Sequence, residues 1–297
     1  MRITNQSSLR NALAELQSNS SDINNLQSQI SSGVKVQKTS DDPAAAQQIL
    51  RTSSSLTALD QYSKNIDSLN SKNTIEGSVM DQLNNIMARA KELMVGQSTG
   101  TATAATRQTA AAEMEQLFNS AVQLGNTKFG DEYMFGGDTA TQVPFNSTGT
   151  GSSLDYTSTT PSTTQSVEIG DGQSLAATHS GQSLFADSGI LSSLRDATKA
   201  LMAGDQTSAT NAMAPVDAAF DNLQVLQGEQ GAKTNALDVA SQNITALKTN
   251  LTAYRSKLQD VDMESAVTEL VSKQTAYQAA MLATSKVLGM NLTDYLR

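Results

Sequence analysis

The chain has 297 residues, enough for a packed core, yet it carries no cysteine, no tryptophan, a single histidine and only 4% aromatic residues. Without cysteine there is no disulfide, no thiol nucleophile and no cysteine-bound zinc or iron-sulfur cluster, and a net charge of -9 with no basic patch argues against a nucleic-acid partner. Ala, Leu, Gln, Asn, Ser and Thr make up much of the rest, a mixture that favours long helices with modest cores.

The first predicted element is a helix over residues 5–32. Leu9, Leu13, Leu16, Ile23 and Ile30 are spaced in alternating fours and threes once Ser20 and Gln27 fill the gaps, which is a heptad seam. Gly33 stands where a left-handed helix end is expected. Ser40-Asp41-Asp42-Pro43 then starts a second helix, Asp42 capping free backbone N–H groups and Pro43 taking the first helical position. Its seam runs Leu59, Tyr62, Ile66, Leu69, Asn73, Glu76, Met80, Leu83, Met87, Ala90 and Met94, unbroken over five heptads. A helix of about 50 residues spans roughly 75 Å, so the sequence predicts a rod. Met80, Met87 and Met94 read as core packing. Gly96 and Gly100 break the pattern, and Met114, Leu117, Ala121 and Leu124 carry a third helix to about Lys128.

From Gly130 to Ala186 glycines punctuate short stretches such as Ser166-Val167-Glu168-Ile169, which predicts a small β-rich domain. Between Asp138 and Ser166, 15 of 29 residues are Ser or Thr, too polar to supply much of a core. No Lys or Arg lies between Lys128 and Arg195, whereas seven acidic residues do, so the segment is expected to be a solvated surface. Helices resume near Ile190, break at Gly204-Asp205, and pass Pro215 in a first turn or kink. Leu237, Ala240, Ile244, Leu247, Leu251, Tyr254, Leu258 and Val261 form the cleanest seam in the chain. Asp260 and Asp262 interrupt it before a last helix with Val267, Leu270, Gln274, Tyr277, Met281, Thr284 and Leu288.

The predicted fold is therefore α+β: long antiparallel coiled-coil helices from both termini forming a rod, with a small β-rich domain inserted in the middle. Residues 1–42 plus 260–297 are expected to form a terminal helical domain, 43–129 plus 188–259 a helical rod, and 130–187 an outer β-rich domain. The terminal seams are narrow, and the first 32 residues alone cannot bury enough apolar area to offset an ordering cost of about 1–2 kcal/mol per residue. They are expected to order against neighbouring subunits, and the ends of the free monomer to be cut readily by protease.

Catalysis has little to work with. His179, in Ala177-Thr178-His179-Ser180-Gly181, is expected to be an exposed loop histidine, since no nucleophile elbow accompanies it. Asp41-Asp42 is explained by capping and Asp131-Glu132 by a turn. The residues after Asp171-Gly172 do not supply a calcium loop, and no phosphate-loop spacing occurs. No enzyme activity, cofactor or metal is expected. The start Met1-Arg2-Ile3-Thr4-Asn5-Gln6 lacks the apolar stretch of a secretory signal, and no apolar run approaches 18 residues, so no membrane span is expected either.

Five pieces together carry a family resemblance over the whole chain. They are Met1-Arg2-Ile3-Thr4, Gln29-Ile30-Ser31-Ser32-Gly33, Ser40-Asp41-Asp42-Pro43-Ala44-Ala45-Ala46, Gln61-Tyr62-Ser63-Lys64-Asn65-Ile66 and Leu292-Thr293-Asp294-Tyr295-Leu296-Arg297. The chain resembles the flagellin superfamily, and within it the hook-filament junction family. Pro43, in a motif where flagellins usually have no proline, and Glu132-Tyr133-Met134-Phe135-Gly136-Gly137 are similar to the junction pattern. The resemblance implies a structural subunit exported to the flagellum through its type III apparatus, with a chaperone and no cleaved signal. It would form a ring of identical copies between the first hook-associated protein and flagellin, with its subunit interface on Leu9, Leu13, Leu16, Ile23, Ile30, Leu251, Tyr254, Leu258, Val267, Leu270, Tyr277, Met281 and Leu288. The alternatives are a flagellin-type filament subunit and a stalked surface adhesin.

Overall fold

The computed structural model describes residues 2–295, with every side chain among them except those of residues 2–6, 8–9 and 287–295. The described chain forms helices α1 (Arg2–Ser32), α2 (Pro43–Gln97) and α3 (Ala104–Gly125), then strands β1 (Lys128–Phe129), β2 (Glu132–Tyr133), β3 (Phe145–Thr148), β4 (Asp155–Ser158), β5 (Ser166–Gly170) and β6 (Gln173–Ala176). A π-helix (Gln182–Asp187) leads into α4 (Ile190–Ala203), α5 (Gln206–Asn211), α6 (Met213–Gln259) and α7 (Met263–Tyr295). The chain is thus α+β, with long helices towards both ends and small β elements between them. Contacts divide it into one unit of Met1–Ala58 with Ala246–Arg297 and another of Leu59–Thr245.

In the first unit α1 lies along α7. The pair is antiparallel, because the end of α1 meets the start of α7: Lys35 N donates to the Gln259 carbonyl at 2.7 Å, Val261 N donates to the Gly33 carbonyl at 3.0 Å, and Val34 bridges Asp260. Gly33 ends α1 in the left-handed region, at φ +71°, where a side chain would be strained. The two acids that follow divide the labour. Asp41 Oδ2 accepts from the backbone N–H groups of Gln37 and Lys38 at 3.1 and 2.8 Å and shapes the approach. Asp42 Oδ1 accepts from Ala44 N and Ala45 N at 3.0 and 2.9 Å, and Pro43 opens α2. Asp262 does the same for α7, its Oδ1 accepting from Glu264 N and Ser265 N. Asp42→Ala is expected to lower stability by about 1 kcal/mol, read as a lower urea midpoint at unchanged slope.

In the second unit the predicted seam of α2 is filled: Ile66, Leu69, Asn73, Glu76, Met80, Leu83, Met87, Ala90 and Met94 are all buried. Met80, Met87 and Met94 meet Met114, Phe118, Ala121, Leu191, Leu194 and Leu201 in one core drawn from α2, α3 and α4. Arg107 of α3 is buried, and its guanidinium donates to the carbonyls of Gln97, Thr99 and Gly204, satisfying acceptors at the ends of α2 and α4.

The β segment is three separate antiparallel hairpins, β1–β2, β3–β4 and β5–β6. Of its large apolar side chains the Ser/Thr-rich part buries only Phe145 and Leu154, but with those from its flanks they fill the helical core. Phe135, Phe145, Leu154, Leu184 and Phe185 belong to the same buried cluster as Phe118 and Met114. Phe185, on the π-helix, holds Phe135 and Phe145 at ring-centroid distances of 5.2 Å each. Phe145 is pinned in register by one amide side chain, since Asn126 Nδ2 donates to the Phe145 carbonyl at 2.8 Å and Asn126 Oδ1 accepts from Phe145 N at 3.0 Å. Gly125 makes this approach possible: a Cβ there would lie 2.7 Å from the Phe145 ring.

Candidate functional site: an apolar surface on the paired helices

The first unit is built differently from the second. Its seams have the same spacing, but among its described apolar residues burial is confined to Val36, Ala46, Leu56 and Ala266. Of the residues expected at a subunit interface, Leu13, Tyr254, Val267 and Met281 are exposed, at 49, 44, 45 and 45%. Leu16, Ile23, Ile30, Leu251, Leu258, Leu270 and Tyr277 are half-buried. The side chains of Leu9 and Leu288 lie outside the described residues.

The structure adds neighbours that sequence reasoning passed over. On α7, Met263, Val271 and Leu282 are exposed along with Val267 and Met281. At about 100° per residue, these five fall within a quarter to a third of the helix circumference. The four-residue interval from Met263 to Val267 to Val271 was the available signal, hidden because the heptad reading runs through Leu270. Leu247 on α6 and Leu50 on α2 are also exposed, at 51 and 66%. Tyr254 is oriented rather than loose, its hydroxyl donating to Gln48 Oε1 at 2.8 Å. Between α1 and α7 the one cross-helix ion pair among the described residues is Lys273 Nζ with Asp22 Oδ2 at 2.7 Å, and that hydrogen bond with its charge raises the lysine pKa. Exposed apolar side chains in such density are what a partner covers; a fully exposed Leu, Val or Met so covered contributes about 1.5–3 kcal/mol, and one already half covered about half of that.

The expectation of an exposed loop histidine is overturned. His179 does lie in a loop, after β6, but its side chain is only 15% exposed and its Nδ1 is 2.8 Å from the buried carboxylate of Glu76. Sequence spacing offered no hint, since the two residues are 103 apart. Among the described residues no cluster of His, Cys, Asp and Glu could hold a metal ion, and no helix is long and apolar enough to cross a membrane.

Two chain ends brought together as antiparallel helices, with an unfilled apolar surface and small hairpins spliced between, define a class of helical assembly proteins. A family model for the bacterial flagellin N-terminal helical region matches residues 3–140, and one for the flagellin C-terminal helical region matches residues 213–296. The chain belongs to the flagellin superfamily. Flagellar hook-associated protein 3 of Escherichia coli is 25% identical over 290 residues, 89% of this chain and 90% of that protein. Flagellin of Bacillus subtilis is 28% identical over 320 residues, all of both chains. The fold is that of flagellar hook-associated protein 3 from Legionella pneumophila, with a TM-score of 0.64 at 13% identity, covering 71% of this chain and 98% of that one.

Proposed function

We propose that this chain is a structural subunit of the bacterial flagellum that joins hook to filament and catalyses no reaction. The observation that carries the reading is the exposed apolar surface of α1, α6 and α7, which the chain's own helices leave uncovered. On this reading residues 1–42 plus 260–297 pack as an inner helical domain against copies in a ring, 43–129 plus 188–259 form the rod, and 130–187 form the outer domain. The interface comprises the thirteen predicted positions together with Met263, Val271 and Leu282. The ring touches the first hook-associated protein on one side and flagellin on the other. The subunit reaches its place outside the cell through the flagellar type III apparatus, escorted by a chaperone and without a cleaved signal.

The full-length likeness to a flagellin favours a second reading, a subunit that polymerises into the filament. Deleting the gene separates the two. A junction subunit leaves hooks intact and sheds flagellin into the medium; full-length filaments still attached to hooks in the deletion strain would refute the junction role.

A further inference from the structure

The one histidine of the chain sits in a charge cluster that the assembly surface does not use. Glu76 of α2 is fully buried, and its Oε1 accepts from His179 twice, at 2.6 Å from the backbone N and 2.8 Å from Nδ1. The opposite ring nitrogen, Nε2, lies 3.4 Å from Glu229 Oε2 on α6. Lys233, also on α6, is 3.6 Å from Glu76 Oε2, too far to satisfy that oxygen, and donates instead to the Ala177 carbonyl at 2.9 Å. The charged groups facing the imidazole are therefore Glu76 from α2 and Glu229 and Lys233 from α6, the loop over residues 177–181 carrying none of its own.

That loop follows β6 directly, so the cluster is where the β5–β6 hairpin is tied to the helices. The hairpin also packs Val167, Ile169 and Leu175 into a small apolar cluster with Ile66 and Leu69 of α2 and Leu237 of α6. Its further polar ties to α2 run through Glu168: Tyr62 Oη donates to its carboxylate at 3.3 Å and Asn65 Nδ2 to its carbonyl at 2.7 Å. The chemistry of the ring decides how many helices His179 can grip. An imidazolium has two N–H donors and reaches both glutamates; a neutral imidazole has one and must give up either Glu76 or Glu229. We propose that His179 is a proton-operated latch, which when protonated bridges Glu76 on α2 to Glu229 on α6 and holds the β5–β6 hairpin down, and when neutral releases one of the two.

Burial opposes the charge on His179, but the hydrogen bond and charge of Glu76 outweigh it, Glu229 adding and Lys233 opposing, so that its pKa is raised above the ordinary 6.5. A folded-state pKa above the unfolded one contributes stability that is complete below the unfolded value and lost as pH rises through the folded one. The latch thus opens on the alkaline side.

This inference stands apart from the hook-filament reading, and its test uses no flagellum. In the full-length chain the ring signals of the single histidine are titrated by NMR, and amide exchange of residues 166–176 is followed across the same pH range after correction for intrinsic rates. The expected result is a histidine pKa above its ordinary value, a loss of hairpin protection over that transition, and disappearance of the pH-dependent step in His179→Asn, whose amide replaces the Nδ1 donor but does not titrate. Glu76→Gln, where it folds, lowers the histidine pKa. A histidine titrating at or below its ordinary value, or a pH-dependent loss of protection that survives in His179→Asn, overturns the latch.

Discussion

A chain carrying Leu13→Glu with Val267→Glu is expected to fold as a monomer and to lose the ability to join filament to hook. Both side chains are about half exposed in the single chain, at 49 and 45%, so carboxylates there remain hydrated in the monomer. Across a subunit boundary the same positions would be covered. Only about half of each side chain is left to bury, so each substitution forfeits about 1 kcal/mol of apolar burial, and two together forfeit about 2 kcal/mol, a factor of roughly 30 in association. Desolvating two unpaired carboxylates adds several kcal/mol more, and a ring repeats the loss at every contact. The measurement is electron microscopy of hooks from cells expressing the variant, with thermal melting of the purified monomer as the control for folding. Wild-type joining with both charges in place would remove the interface from this surface.

Phe185→Ala is expected to destabilise the second unit by about 3–5 kcal/mol, the usual cost of emptying a phenylalanine site in a packed core. The ring is fully buried and touches both Phe135 and Phe145, so the loss is shared between the β segment and the helices. Urea unfolding followed at helix and hairpin signals should show both transitions moving together. Val143→Ala, at a position 40% exposed, should change the stability by less than about 0.5 kcal/mol. If the hairpins lost structure in Phe185→Ala while the helices kept their original midpoint, they would be an independent domain and the shared core would be wrong.

The helices and their ends were legible in residue order because the information is local. A three-four alternation places side chains on one stripe of a helix, Gly33 is where the backbone can turn left-handed, and Asp42 with Pro43 is a start signal whose partners are two and three residues away. The break at Gly204-Asp205 follows the same logic: Gly204 ends α4 at φ +75° and Asp205 caps α5 by accepting from Ser208 N at 2.8 Å. The flagellin likeness was legible too, since its motifs are short stretches.

Burial was not legible, because it depends on what arrives from elsewhere in the chain. Leu83 and Leu247 stand in equally regular seams, yet one is fully buried and the other 51% exposed. The difference is that Leu83 belongs to a core to which α3, α4 and α6 also contribute side chains, whereas in the first unit two paired helices and short stretches of α2 and α6 leave Leu247 uncovered. Polar residues in a seam are equally silent about their partners. Asn73 donates to Thr234 across 161 residues, and Glu76 takes its hydrogen bonds from His179 across 103. The pattern of apolar spacing is written along the chain and dictates helices wherever it occurs; which stripes end up covered is a matter of packing geometry between distant segments, and that has no local signature.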